Sequence, residues 1–209
     1  MPSTTSATAA TQSPQNSSGR LAARDLALIA SMAALLVVLG IPGALYPFGQ
    51  AVPITLQSMG VMLIGALLGW KRGALSVLLV LALAAIGFPF LAGGRGGLAV
   101  FVGPTSGFLL GWLLGAMVVG AMVQSAAKRL TTARIALAVI VGGIGVIHLC
   151  GIPVMMWRAG LSLNAALVAD LVFIPGDLIK AVIATVVAAA VHRAMPTLLP
   201  STWAGRASR

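Results

Sequence analysis

The chain has 209 residues, of which 59% are hydrophobic and 8% charged, with a mean hydropathy of +1.07. That is more apolar surface than a water-soluble domain of this size buries, and several runs reach the length that crosses a bilayer. The net charge of +10 would suggest a nucleic-acid partner in a soluble protein; the hydropathy excludes that reading, and the basic residues fall in short loops and tails.

Residues 1–19 are Ser, Thr, Ala, Gln and Pro-rich with no charged side chain, which predicts a disordered tail. No basic stretch precedes an apolar core at the start, so a signal peptide is not expected. Six spans follow, over residues 21–40, 54–70, 73–86, 104–127, 133–151 and 176–194, with a short helix expected over 161–171. The expected organisation is a membrane domain over 20–195 and a second tail over 196–209. The fold class is all-α, a polytopic six-helix membrane bundle lying in a lipid bilayer.

Lys and Arg counts set the orientation. One side carries Arg20, Arg24, Lys71, Arg72, Lys128, Arg129, Arg134, Arg193, Arg206 and Arg209, and the other carries Arg95, Arg158 and Lys180. Both termini are therefore expected in the cytoplasm, and segments 41–53, 87–103 and 152–175 outside.

The outer segments are rich in Gly, Pro and aromatics. Irregular backbone at membrane depth is tolerated where it is buried in protein or lines a cavity. The glycine-rich loop around Arg95 can close over a ligand or serve as a linker. It lacks the lysine and hydroxyl of a phosphate-binding loop, and no nucleotide motif occurs elsewhere. The chain is not expected to hydrolyse ATP or to be an enzyme.

Small residues recur at four-residue spacing: Ala30 and Ala34, Gly65 and Gly69, then Gly107, Gly111 and Gly115. Such faces let membrane helices approach closely. Cys150 lies in an apolar run and reads as a packing residue.

The last span opens with Pro175-Gly176-Asp177-Leu178-Ile179-Lys180. Pro in the first turn and a carboxylate near the positive dipole end fit a helix start. Asp177 and Lys180 share a helix face. A charge at the centre of a membrane helix costs roughly 2.5–3.5 kcal/mol on insertion scales, so the pair is either a self-neutralising structural bridge or a polar ligand site. Two other classes compete. An intramembrane serine protease would use Ser106 and His148, but the first Gly of the expected Gly-x-Ser-Gly is Pro104. An autonomous secondary carrier or channel for a small organic solute would show paired broken helices or an inverted repeat, and neither is evident.

Three blocks are similar to those of a known family: Val52-Pro53-Ile54-Thr55-Leu56-Gln57, Gly103-Pro104-Thr105-Ser106-Gly107-Phe108-Leu109-Leu110-Gly111, and the Pro175–Lys180 hexapeptide. Together they resemble the BioY family, the biotin-specific substrate-binding (S) components of energy-coupling factor (ECF) vitamin transporters. The resemblance covers about residues 21–195. It implies a six-helix S component of a bacterial inner membrane. Such a protein captures biotin from outside and works with a transmembrane coupling protein and two cytoplasmic ATPases. It implies no catalytic residue, no metal and no cofactor in this chain. Ser106-Gly107-Phe108 stands where the family commonly has Gly-Gly-Tyr, so the hydroxyl at Phe108 is lost and Ser106 can supply one nearby.

The residue types suit biotin's ureido group, thioether ring and valerate carboxylate. Asp177 can accept N–H bonds and Lys180 can donate to a carbonyl or carboxylate. Gln57 can do either. Thr55 and Thr105 stand in the same blocks as further binding candidates. Phe108 and Trp157 can cover the ring, and Arg95 can meet the carboxylate. Ala30 and Ala34 resemble the docking motif by which S components meet the coupling protein.

Overall fold

The computed structural model describes residues 23–44 and 53–199. These form helices α1 (Ala23–Val38), α2 (Gln57–Ala85), α3 (Ser106–Ser125), α4 (Thr132–Ala138), α5 (Ile147–Ala159), α6 (Leu163–Leu171) and α7 (Ile174–Ala194). A π-helical stretch, Val139–Val146, joins α4 to α5 without a break. Leu91 and Arg95 form an isolated antiparallel β-bridge.

The element α2 is a hairpin. Gly69 sits at φ 76° and ψ 179°, outside the helical region, in a conformation only glycine adopts freely. A Cβ on Gly73 would lie 3.4 Å from the Cα of Gly65. Eight residues along a straight helix would separate them by about 12 Å, so the chain has reversed. The side chain of Gln57, at the start of α2, accordingly bonds the backbone of Phe90 and Ala92, just past its end. Gly69, expected on a packing face, is thus the point of reversal. The two limbs of α2 join α1, α3, the α4–α5 rod and α7 as the six limbs of the bundle. Of the continuous helices, α3, the rod over Thr132–Ala159 and α7 are each long and apolar enough to cross a membrane.

The fifth span, expected to end at residue 151, runs on to Ala159, through Pro153. Gly151 and Pro153 signal a break, but the apolar residues around them pack into the bundle, with Met155 buried. The helix stops instead at Gly160, whose φ of 66° makes the left-handed cap. Segment 152–175 is therefore largely helical. Ser162 Oγ caps α6 by accepting from the N–H of Ala165 at 3.3 Å, close to the short helix expected over 161–171.

Glycines set the depth of packing. α3 turns Gly107, Gly111 and Gly115 to the α4–α5 rod. A Cβ on Gly111 would lie 2.8 Å from the Cα of Ile147, and one on Gly115 would lie 2.7 Å from the carbonyl of Gly142. On another face of α3, Gly65 of α2 stands as close to the carbonyl of Ala116. α3 is thus the centre of the bundle, held between α2 and α5.

Arg72, near the α2 reversal, pairs with Asp25 of α1 at 2.6 Å and donates to the carbonyl of Leu198 at 3.1 Å. Leu198 is buried, so the start of the expected C-terminal tail folds back onto the bundle rather than leaving it at 196. Lys128, Arg129 and Arg193 share a cavity with Leu199, which gathers these basic residues at one end. Tail 1–19, residues 200–209, and 45–52 within the outer segment 41–53 lie outside the described residues, as do Arg20, Arg206 and Arg209.

Candidate functional site

A cavity opens at the opposite end, where Gln57 and Lys180 lie. Pro53, Ile54 and Thr55 line it from the segment before α2, Gln57 and Ser58 from the start of α2, Leu91 and Arg95 from the loop after α2, Thr105 from the residue before α3, and Phe108, Leu109 and Trp112 from α3. Ile147 and His148 come from α5, Phe173 from the turn before α7, and Asp177 and Lys180 from α7. An apolar chamber with a few convergent polar groups is the usual form of a small-molecule site.

The polar groups form one network. Lys180 Nζ donates to Asp177 Oδ1 at 2.9 Å and to Ser58 Oγ at 3.1 Å. His148 Nε2 lies 3.0 Å from Asp177 Oδ2, and its Nδ1 lies 2.7 Å from Asp170 Oδ1 on α6. All four ionisable residues are buried. Desolvation of so many charges is tolerable only when they neutralise one another and fill each other's hydrogen bonds. Asp177 Oδ1 takes Lys180 and Ser58, and Oδ2 takes His148. A carboxylate offers about four lone-pair directions and an ammonium about three donors. By this count one acceptor on Asp177 and one donor on Lys180 remain, and both residues line the cavity.

Gln57 is spent differently. Its Nε2 donates to the carbonyls of Leu36 at 3.1 Å and Phe90 at 2.9 Å, and its Oε1 accepts from the N–H of Ala92 at 2.8 Å. It lines the cavity but ties α1 to the loop that carries Arg95. Arg95 closes that loop through its bridge to Leu91, and its Nε donates to the carbonyl of Ala92 at 3.1 Å. Thr55 Oγ1 accepts from the N–H of Gln57 at 3.2 Å. The Phe108 ring stands edge-on to His148, with centroids 5.9 Å apart.

Asp177, Lys180, Gln57, Thr55, Arg95, Thr105 and Phe108 are thus brought together as expected residues of one site. Ser106 and Trp157 are not. Both line a separate apolar groove between α2, α3 and α5. Ser106 is turned about 100° around α3 from Thr105, and its Oγ donates to the carbonyl of Gly103 at 2.8 Å. Trp157 lies on the extension of α5, 74% exposed, with the Arg158 guanidinium 4.1 Å above its ring. The Ser106–His148 dyad is not assembled either: both imidazole nitrogens face carboxylates.

Sequence reasoning did not bring His148, Ser58, Asp170, Trp112 or Phe173 to this site. One signal was available. The chain has three acidic residues, and two of them, with Lys180, fall in the half that carries little water-facing charge. Two buried acids and one lysine call for a second cation, and His148 is the candidate in the neighbouring span.

The BioY family model matches residues 9–197. The chain belongs to the BioY family. A biotin transporter BioY of Rhizobium etli is 45% identical over 87% of this chain and 99% of its own length. One from Rhodobacter capsulatus is 48% identical over 84% of this chain and 97% of its own. A crystal structure of the S-component for biotin from an ECF-type ABC transporter superposes with a TM-score of 0.77 at 35% identity, covering 81% of this chain and 91% of that one. The family is one of transporter components, not enzymes. The three sequence blocks that resemble BioY meet at the walls of the cavity just described.

Proposed function

We propose that this chain is the biotin-binding S component of an ECF-type transporter, taking the vitamin from outside and passing it inward. The observation that carries this reading is the pairing of Asp177 and Lys180 on the cavity wall, where the count of bonds leaves one acceptor and one donor. A cyclic urea presents an N–H beside a C=O, the complementary edge. The ureido N–H bonds Asp177 and its carbonyl bonds Lys180. The bicyclic ring lies among Phe108, Trp112 and Phe173, and the valerate carboxylate runs toward Arg95. Thr55 and Thr105 border the chamber. Membership of BioY and the likeness to a biotin S-component support the choice of ligand.

The concentration of Lys and Arg at the Arg72 end supports cytoplasmic termini, with the cavity on the outer side. The likeness to an S-component from an ECF-type ABC transporter supports uptake that draws on a transmembrane coupling protein and two ATPases. Ala30 and Ala34 lie on the exposed face of α1, available to such a partner.

The test is titration of the purified protein with biotin, alongside mass spectrometry of any small molecule that co-purifies. Saturable binding is expected in the parent, with Asp177→Asn and Lys180→Ala binding at least about tenfold more weakly while still unfolding cooperatively. No saturable binding by a folded parent would sink the reading.

A further inference from the structure

His148 and Asp170 are buried and polar, yet the ligand contacts just described do not need Asp170, which does not line the cavity. We propose that Asp170 and His148 form a relay that fixes the carboxylate of Asp177 in its ureido-reading geometry, with Asp170 the positioning residue. The proposal rests on the biotin reading.

The geometry is continuous across three helices. Both carboxylate oxygens of Asp170 lie within reach of His148 Nδ1, at 2.7 and 2.9 Å. Nε2 of the same ring meets Asp177 Oδ2 at 3.0 Å. Each ring nitrogen faces a carboxylate, so both contacts are hydrogen bonds when the ring carries two N–H groups. The charges of Asp170, His148, Asp177 and Lys180 then sum to zero in a site with no room for an uncompensated one. Phe108 and Phe173 flank the imidazole, 5.9 and 6.3 Å from it between centroids, and restrict its tilt. Gripped by His148 at Oδ2 and by Lys180 and Ser58 at Oδ1, Asp177 has one orientation. Remove Asp170 and the ring loses the partner that aims Nε2. α6 contributes little else: only Ala166 and Asp170 are buried along it. Asp170 is its buried polar side chain.

The experiment compares biotin with biotin methylated on both ureido nitrogens, which keeps the carbonyl and lacks the N–H donors that Asp177 would read, in the parent, Asp170→Asn, His148→Gln and the double variant. The parent is expected to prefer biotin strongly. With the other groups' charges kept, each single variant leaves the network with a net charge, and is expected to lose about tenfold or more in biotin affinity and proportionately less for the N-methylated ligand. The double variant restores neutrality: the introduced glutamine amide can donate to Asp177 and accept from the introduced asparagine amide. It is expected to bind biotin more tightly than either single variant. Equal losses for the two ligands, unchanged binding in the single variants, or a double variant no better than the worse single one would each overturn the relay. A single variant too unstable to titrate leaves the double to decide, since rescue of binding there requires the pair to act together. Failure of the parent itself to bind biotin would instead overturn the functional reading on which the proposal stands.

Discussion

The backbone N–H of Ala92 donates to Oε1 of Gln57 at 2.8 Å, joining the loop after α2 to the residue that begins it. The amide nitrogen of the same side chain reaches Leu36 at the end of α1 and Phe90 in the loop. One buried glutamine thus sets the height of the Arg95 loop over the cavity. Replacing Gln57 by Leu keeps the volume and strands two carbonyls and an N–H, each costing about 1–3 kcal/mol if nothing else satisfies it. Gln57→Leu is expected to lower the melting temperature in detergent and to speed biotin release. A variant that melts and releases like the parent would remove Gln57 as the anchor.

The α2 reversal makes a second prediction. Gly120 of α3 lies against the backbone of Gly69 and Trp70, and a Cβ there would stand 2.7 Å from the Cα of Trp70. Backbone cannot yield as a flexible side chain does, so Gly120→Ala is expected to cost about 1–3 kcal/mol. At Gly145 the nearest atom to an added Cβ is 3.7 Å away, the carbonyl of Ile140, and Gly145→Ala should be close to neutral. Thermal unfolding of the two variants side by side checks this; similar melting points would mean the reversal is not tightly packed against α3.

How much of this was legible in the sequence divides by physical cause. Hydropathy and length expose the spans because each must cover its own backbone in lipid. Lys and Arg mark one end. Asp177 and Lys180 stand out because charge is rare here. The course of α5 past Pro153 was not legible, since a proline inside a helix is tolerated or refused by its packing, which one sequence does not display. The same holds for Trp157: its aromatic ring fits a binding site equally well, and only the phase of the extended helix places it on the outer surface. Asp170 and His148 were hidden for a third reason. Their meaning lies in contacts between α5, α6 and α7, across 22 and 29 positions of sequence.

Arg95 supplies a kinetic test. Leu91 and Arg95 exchange two backbone hydrogen bonds of 3.0 Å, so the loop is a closed turn with the guanidinium beside the cavity. A charge-assisted bond to the ligand carboxylate would slow departure more than it speeds arrival. Arg95→Ala is expected to raise the dissociation rate by about tenfold with little change in the association rate, and Arg95→Lys to lie between. Stopped-flow measurements read both rates. A variant altered only in association would place Arg95 in steering rather than in holding the ligand.

Topology is open to direct labelling. In a Cys150→Ser background, a cysteine placed beside Arg95 should react with a membrane-impermeant thiol reagent on intact cells, and one beside Arg129 only after the cells are opened. The reverse pattern would invert the orientation and move the cavity to the cytoplasmic side.

The last prediction concerns the partner. Along α1, Ile29, Ala33 and Leu36 are buried, while Ala27, Ala30, Ser31 and Ala34 are exposed. The buried stripe packs on α2; the middle of the exposed face is made of small side chains one turn apart, between the exposed Leu26 and Val38, the pattern that allows two helix backbones to approach closely. Packing among the described residues does not use it, so a second membrane protein can. Replacing both Ala30 and Ala34 by Trp would hold any partner helix away by the width of a ring. Neither residue lines the cavity, and the substitutions point outward, so biotin binding by the isolated protein should persist. Co-purification with the coupling protein and ATPases, and ATP-driven uptake, should be lost. Retained assembly in the double variant would send the search for the docking face to another side of the bundle, and a collapse of biotin binding would show that this face supports the pocket instead.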